Sequence, residues 1–123
     1  MRRILAVDDN NDILEILQFI LEDYGYKVDT LSDGHFLFEK IKEHNPDLIL
    51  LDVMLGDMDG RELCKEVKAK TSTHNIPVIL LSASFEMGDK ITRDKHGAPN
   101  AFIAKPFDIN QLLNTVEDQL AAA

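Results

Sequence analysis

Cysteine is nearly missing from this sequence: Cys64 stands alone, so no internal disulfide can form, which fits a reducing compartment such as the cytoplasm. It falls on the apolar side of a predicted helix and is expected to be a small buried hydrophobe. No apolar run approaches the roughly 20 residues that span a bilayer. The first residues, Met1-Arg2-Arg3-Ile4-Leu5, reach an acid by Asp8, so neither a membrane segment nor a signal peptide is expected. Basic residues are scarce, 13 Lys and Arg against 22 Asp and Glu, and the net charge is −9. Affinity for a phosphate backbone needs clustered Lys and Arg, so the charge argues against unaided nucleic-acid binding and none is expected. The four histidines, His35, His44, His74 and His96, lack ligand-like spacing, which argues against zinc. Repeats, low-complexity stretches and linkers are absent as well.

What is there suits one domain over residues 1–123, with 121–123 read as a fraying end or the start of a linker. The clearest stretch is Leu48-Ile49-Leu50-Leu51-Asp52, four aliphatic residues ending in an acid, which reads as a strand buried on both faces. Arg3 to Val7 and Pro77-Val78-Ile79-Leu80-Leu81 read as further buried strands, Ala101-Phe102-Ile103-Ala104 as a fifth. Tyr26 to Leu31 is more polar and suits a sheet edge. Between them run helical periodicities. Ile13, Leu14, Ile16, Leu17, Ile20, Leu21 and Tyr24 follow Asp12 as cap and end at Gly25; Phe36, Leu37, Phe38 and Ile41 mark a helix from about Asp33 to His44. Helix resumes with Leu63, Cys64 and Val67 after a loop from Val53 to Gly60. A weak, polar helix is predicted over Glu86 to Lys95, and Asp108 caps a last one carrying Ile109, Leu112, Leu113, Val116 and Leu120. Five strands alternating with five helices on short connections predict a doubly wound α/β fold, a parallel sheet with helices on both faces.

In such folds chemistry collects beyond the carboxyl ends of the strands. The residues there are Asp8 and Asp9, Asp52, Ser82 and Lys105. Two unit charges about 4 Å apart repel by about 4 kcal/mol at an effective dielectric of 20, so three carboxylates gathered at one edge need positive charge. A hard divalent cation with oxygen ligands supplies it, and Mg2+ suits one or two carboxylates with waters and a phosphate oxygen. Three negative charges then balance a dication and the Lys105 ammonium. With those charges in place an ionised Asp52 can attack phosphorus without a base, giving an aspartyl-phosphate.

Taken together, Val7-Asp8-Asp9, Leu51-Asp52-Val53-Met54-Leu55, Met58-Asp59-Gly60, Leu81-Ser82-Ala83, Gly97-Ala98 and Lys105-Pro106-Phe107 resemble the receiver domain of two-component response regulators over essentially the whole chain. The resemblance implies a flavodoxin-like strand order 2-1-3-4-5 and a phosphorelay switch rather than an enzyme with small-molecule turnover. It implies Asp52 as the phosphoacceptor, served by a sensor histidine kinase or phosphotransfer protein. Asp8, Asp9, Asp52 and the backbone carbonyl of Met54 would hold Mg2+. Ser82 would bond the phosphoryl oxygen and Lys105 pair with it, while Phe102 would turn inward when Ser82 moves. The Lys105-Pro106 peptide is expected to be cis. An output partner and a phosphorylation-linked homodimer are implied in general terms only.

The chain departs from that family at four points: Gly56 replaces a common proline, Ser82 a threonine and Phe102 a tyrosine, and the helix from Glu86 is unusually polar. Other classes fit less well. A flavin or dinucleotide binder needs a glycine-rich amide cradle where Asp8-Asp9-Asn10-Asn11 stands. A haloacid-dehalogenase-like phosphatase wants a second acid two residues after its nucleophile, where this chain has Met54. A phosphorylation-independent pseudo-receiver usually lacks some of the site residues that are intact here.

Overall fold

The computed structural model describes residues 1–83 and 97–122. Strand β1 (Arg3–Val7) leads to helix α1 (Asn11–Asp23), then β2 (Lys27–Leu31), a 3-10 turn (Gly34–Phe36), α2 (Leu37–His44) and β3 (Leu48–Asp52). A small hairpin of Met54–Leu55 against Met58–Asp59 precedes α3 (Gly60–Ala69). Strands β4 (Val78–Ser82) and β5 (Ala101–Ala104) and helix α4 (Ile109–Ala122) complete the described chain. The helix expected over Glu86 to Lys95 lies outside the described residues. All pairings in the five-stranded sheet are parallel, in the order β2-β1-β3-β4-β5. The polar second strand is therefore an edge, as its composition predicts.

Alternation along the buried strands builds two cores. Leu5 and Val7 of β1, with Ile49 and Leu51 of β3, meet Leu37 and Ile41 of α2 and Leu63, Cys64 and Val67 of α3. Ile4 and Ala6, with Leu48 and Leu50, meet Leu14, Leu17 and Leu21 of α1 and Leu112, Val116 and Leu120 of α4 on the other face. A strand buried on both sides has no room for a polar phase, which is why β1, β3 and β4 read as continuous apolar runs.

Several helix ends differ from the sequence expectation. Asn10, not Asp12, caps α1: its side-chain oxygen accepts from the amides of Asp12 and Ile13. Asp12 instead lies in the first turn, where a carboxylate meets the positive end of the helix dipole. Asp33 caps a 3-10 turn, and α2 proper begins only at Leu37; Leu37 and Ile41 are buried, whereas Phe36 is half exposed. The apolar stripe of α1 is also narrower than its composition suggests, with Ile16 and Tyr24 exposed. Asp108 caps α4 as expected, accepting from Asn110 and Gln111. Cys64 is fully buried, its thiol donating toward the Gly97 carbonyl oxygen, and burial pushes that thiol up to about 11.

Candidate functional site

Parallel pairing places the polar residues side by side. Val7 lies opposite Leu51, so the residues that follow, Asp8 and Asp52, continue the same register. Ser82 pairs with Ala104, and Lys105 comes next. The ladder runs one rung past each strand: the amides of Asp8, Val53 and Lys105 donate to the carbonyls of Leu31, Leu81 and Ser82 at 3.1, 2.9 and 2.7 Å. The backbone of the site is thus fixed by sheet hydrogen bonds and not by loop packing.

One carboxylate oxygen from each of Asp8, Asp9 and Asp52 can be chosen so that all lie within 4.8 Å of one another. Asp8 is fully buried. Its Oδ2 accepts from Lys105 Nζ at 2.8 Å, and its Oδ1 from the Asn10 amide at 2.9 Å. Asp52 is buried too, with Lys105 Nζ 3.3 Å from its Oδ1 and a hydrogen bond from the Met54 amide. Asp9 is exposed and open to solvent.

Electrostatics show what the pocket is short of. Burial, and then the neighbouring Asp8 charge, push the Asp52 carboxyl up to about 6 despite the Lys105 ammonium beside it. Burial alone would lower Lys105, but the hydrogen bond to Asp8 and the Asp52 and Asp8 charges outweigh it and hold the ammonium above the usual lysine range. One ammonium against three carboxylates leaves a formal charge of −2, matching a divalent cation. The donor set is all oxygen and partly open to water, which fits Mg2+ rather than zinc or copper.

Ser82 is buried at the end of β4. Phe102 lies opposite Leu80 and packs, partly buried, on the core between the sheet and helices α2 and α3. The Met54 side chain is 69% exposed beside Asp52. The Lys105-Pro106 peptide is cis. Two contributors were not singled out from sequence. Asn10 donates its amide to Asp8 while capping α1. Gly60 brings its backbone so close to β3 that an added Cβ would overlap the Asp52 carbonyl oxygen, while its amide donates to the Val53 carbonyl at 2.7 Å. The Asx-type pattern Asn10-x-Asp12 was a signal for the first; close approach of a glycine leaves none in a single sequence.

Fold and pocket together define a doubly wound α/β domain with an oxygen-lined cation site at its strand ends. Residues 4–117 match the family model described as "Response regulator receiver domain", and the chain belongs to that family. Solved relatives agree over nearly the full length. A putative response regulator from Chloroflexus aurantiacus is 33% identical with a TM-score of 0.88, the match covering 98% of each chain. The receiver domain of a signal transduction histidine kinase from Syntrophus aciditrophicus is 31% identical with a TM-score of 0.89, over 100% of this chain and 92% of that one. Chemotaxis protein CheY4 of Vibrio cholerae is 30% identical with a TM-score of 0.87, over 96% and 98%. The family consists of phosphoaccepting switches rather than small-molecule enzymes, and membership implies a histidine kinase as partner. The triad Asp8, Asp9 and Asp52 is typical of the receiver Mg2+ site. Among the described residues no helix is long and apolar enough to cross a membrane.

Proposed function

We propose that Asp52 is the phosphoacceptor of this receiver, and that the chain acts in the cytoplasm as a switch read by a further protein or domain. The observation that carries this reading is the pocket itself: a buried carboxylate at a strand end, two further acids with oxygens within 4.8 Å of it, and an ammonium within 3.3 Å. The donor is a phosphohistidine on the kinase or on a phosphotransfer protein. Asp8, Asp9, Asp52 and the Met54 carbonyl would hold Mg2+, with Asp9 the direct ligand and Asp8, both of whose oxygens are already engaged, acting partly through water. When bound, the ion supplies the positive charge that neutralises the incoming phosphoryl group.

The protein's own residues do the rest. Asp52 oxygen forms the new P–O bond; the P–N bond breaks with its electron pair going to the imidazole nitrogen, which takes up a proton. No base is needed, because the carboxylate loses its proton as pH rises through about 6 and attacks in its ionised form. Lys105, already between Asp8 and Asp52, exchanges part of its pairing for the phosphoryl oxygen. Ser82 moves toward that oxygen and Phe102 fills the vacated space, so the state of Asp52 reaches the β5 and α4 face by a shift in a two-state equilibrium. Phosphorylation-linked pairing of two copies through that face is one form the output takes.

Incubation with a small phosphodonor, with Mg2+ or with chelator, followed by intact-mass measurement, tests the reading. One phosphoryl group is expected on the wild type with Mg2+ and none on Asp52→Asn. Equal uptake by the two proteins would move the acceptor elsewhere.

A further inference from the structure

A second charged constellation lies beside the pocket and is not used by the chemistry above. It joins the turn after β2 to the hairpin after β3. The His35 ring is exposed, and each of its nitrogens faces a carboxylate: Nδ1 lies 2.7 Å from Asp33 Oδ1, and Nε2 lies 3.4 Å from Asp57 Oδ2. Asp33 belongs to the same turn and also accepts the His35 amide at 2.9 Å. Asp57 comes from the other element, at the tip of the Met54–Asp59 hairpin, next to Gly56 with its φ of +66°. The two elements are in contact: a Cβ on Gly34 would press on the Leu55 and Met58 side chains of the hairpin at 3.2 Å and on Leu63 of α3 at 2.9 Å.

A neutral imidazole carries one N–H. It can donate to one of these carboxylates, and then turns a lone pair toward the other. The imidazolium instead carries positive charge toward both carboxylates, hydrogen-bonded to Asp33 and within ion-pair distance of Asp57. The arrangement therefore belongs to the protonated ring.

We propose that His35 is a positioning residue for the phosphoacceptor loop: as an imidazolium it ties the hairpin tip, through Asp57, to the turn after β2, and it releases that tip as pH rises. The hairpin opens with Met54, whose carbonyl is among the ligands proposed above, so the effect on acceptance rests on that reading. The tie itself does not. Among the described residues, Asp33 from its own turn and Asp57 from the hairpin are the charged groups that face the ring. The hydrogen bond that the ring donates to Asp33 and then the Asp57 charge hold the ring above the usual histidine value, and the His35 amide and ring hold Asp33 below the usual carboxylate range. A raised histidine is protonated below its shifted midpoint. The tie is complete at lower pH and is lost as pH rises through that midpoint, and being exposed it weakens with salt.

The test is a pH titration of the full chain by NMR without phosphodonor, reading the His35 ring and the amides of Gly56, Asp57 and Met58. The His35 midpoint is expected above about 6.5, with the three amides following it. In Asp57→Asn the midpoint falls and the amides stop following. A midpoint unmoved by Asp57→Asn, or hairpin amides indifferent to His35, would overturn the proposal. A parallel phosphorylation profile separates the two readings: wild-type uptake slows as pH rises through the His35 midpoint, and His35→Gln removes that slowing. Failure of any uptake would strike the acceptor reading, while the ring titration would still decide the tie.

Discussion

Asp52, the proposed nucleophile, is held by its neighbours in a form that costs the fold stability once ionised. Its ordinary value of 3.8 is raised to about 6 by burial and by Asp8, so folding favours its protonated form. The associated stability is therefore present below pH 3.8 and is lost as pH rises through about 6. Asp52→Asn should consequently stabilise the metal-free protein at pH 7, by about 1–2 kcal/mol after allowance for solvent screening, and flatten its melting temperature between pH 4 and 7. A lower melting temperature in that variant would contradict the charge account. Lys105→Ala acts in the opposite sense. Among the described residues it leaves the buried Asp8 carboxylate with the Asn10 amide as its remaining donor, so a loss of about 2–3 kcal/mol is expected in thermal melts, partly restored by Mg2+. That variant should still take up phosphate yet signal poorly; normal output would remove its assigned role. A shielding role over the acyl phosphate for the exposed, apolar Met54 side chain, two residues from Asp52, is open to test. Met54→Asn should shorten the phosphorylated lifetime, read by the decay of the phosphorylated mass, and an unchanged lifetime would dismiss the shield.

The hairpin and the start of α3 show what an element contributes. Gly60 opens α3 against the Asp52 carbonyl, and Asp59 caps that helix through the Arg61 amide while its carboxylate pairs with the Arg61 guanidinium. Gly60→Ala should push β3 and α3 apart, costing more than about 2 kcal/mol and weakening Mg2+ binding. Urea unfolding and a Mg2+ titration of the variant check both effects. Such approaches explain which parts of the fold were legible beforehand. The runs at Leu48–Leu51 and Val78–Leu81 announce strands because both sheet faces are covered, and the acids after them announce the pocket. The start of α2 was not legible, because Asp33 caps a 3-10 turn whose spacing differs from the helix that follows. The cap of α1 was misplaced for a related reason: Asn10 and Asp12 are both good caps, and only backbone geometry chooses. The tie from His35 to Asp57 joins residues distant in sequence, which no local pattern reveals.

For the whole molecule, the sheet order brings the ends of β1, β3, β4 and β5 to one edge, so residues from 8 to 105 meet in a single pocket. The fold class and the pocket members follow from where apolar runs stop, whereas burial of Asp8 against exposure of Asp9 had to be seen. The charge deficit in that pocket joins architecture to chemistry, and calorimetric titration with Mg2+ at low ionic strength addresses it directly. The wild type should bind one ion per chain, and Asp9→Asn should bind it measurably more weakly. Absence of binding by the wild type, or full affinity in the Asp9 variant, would contradict the account.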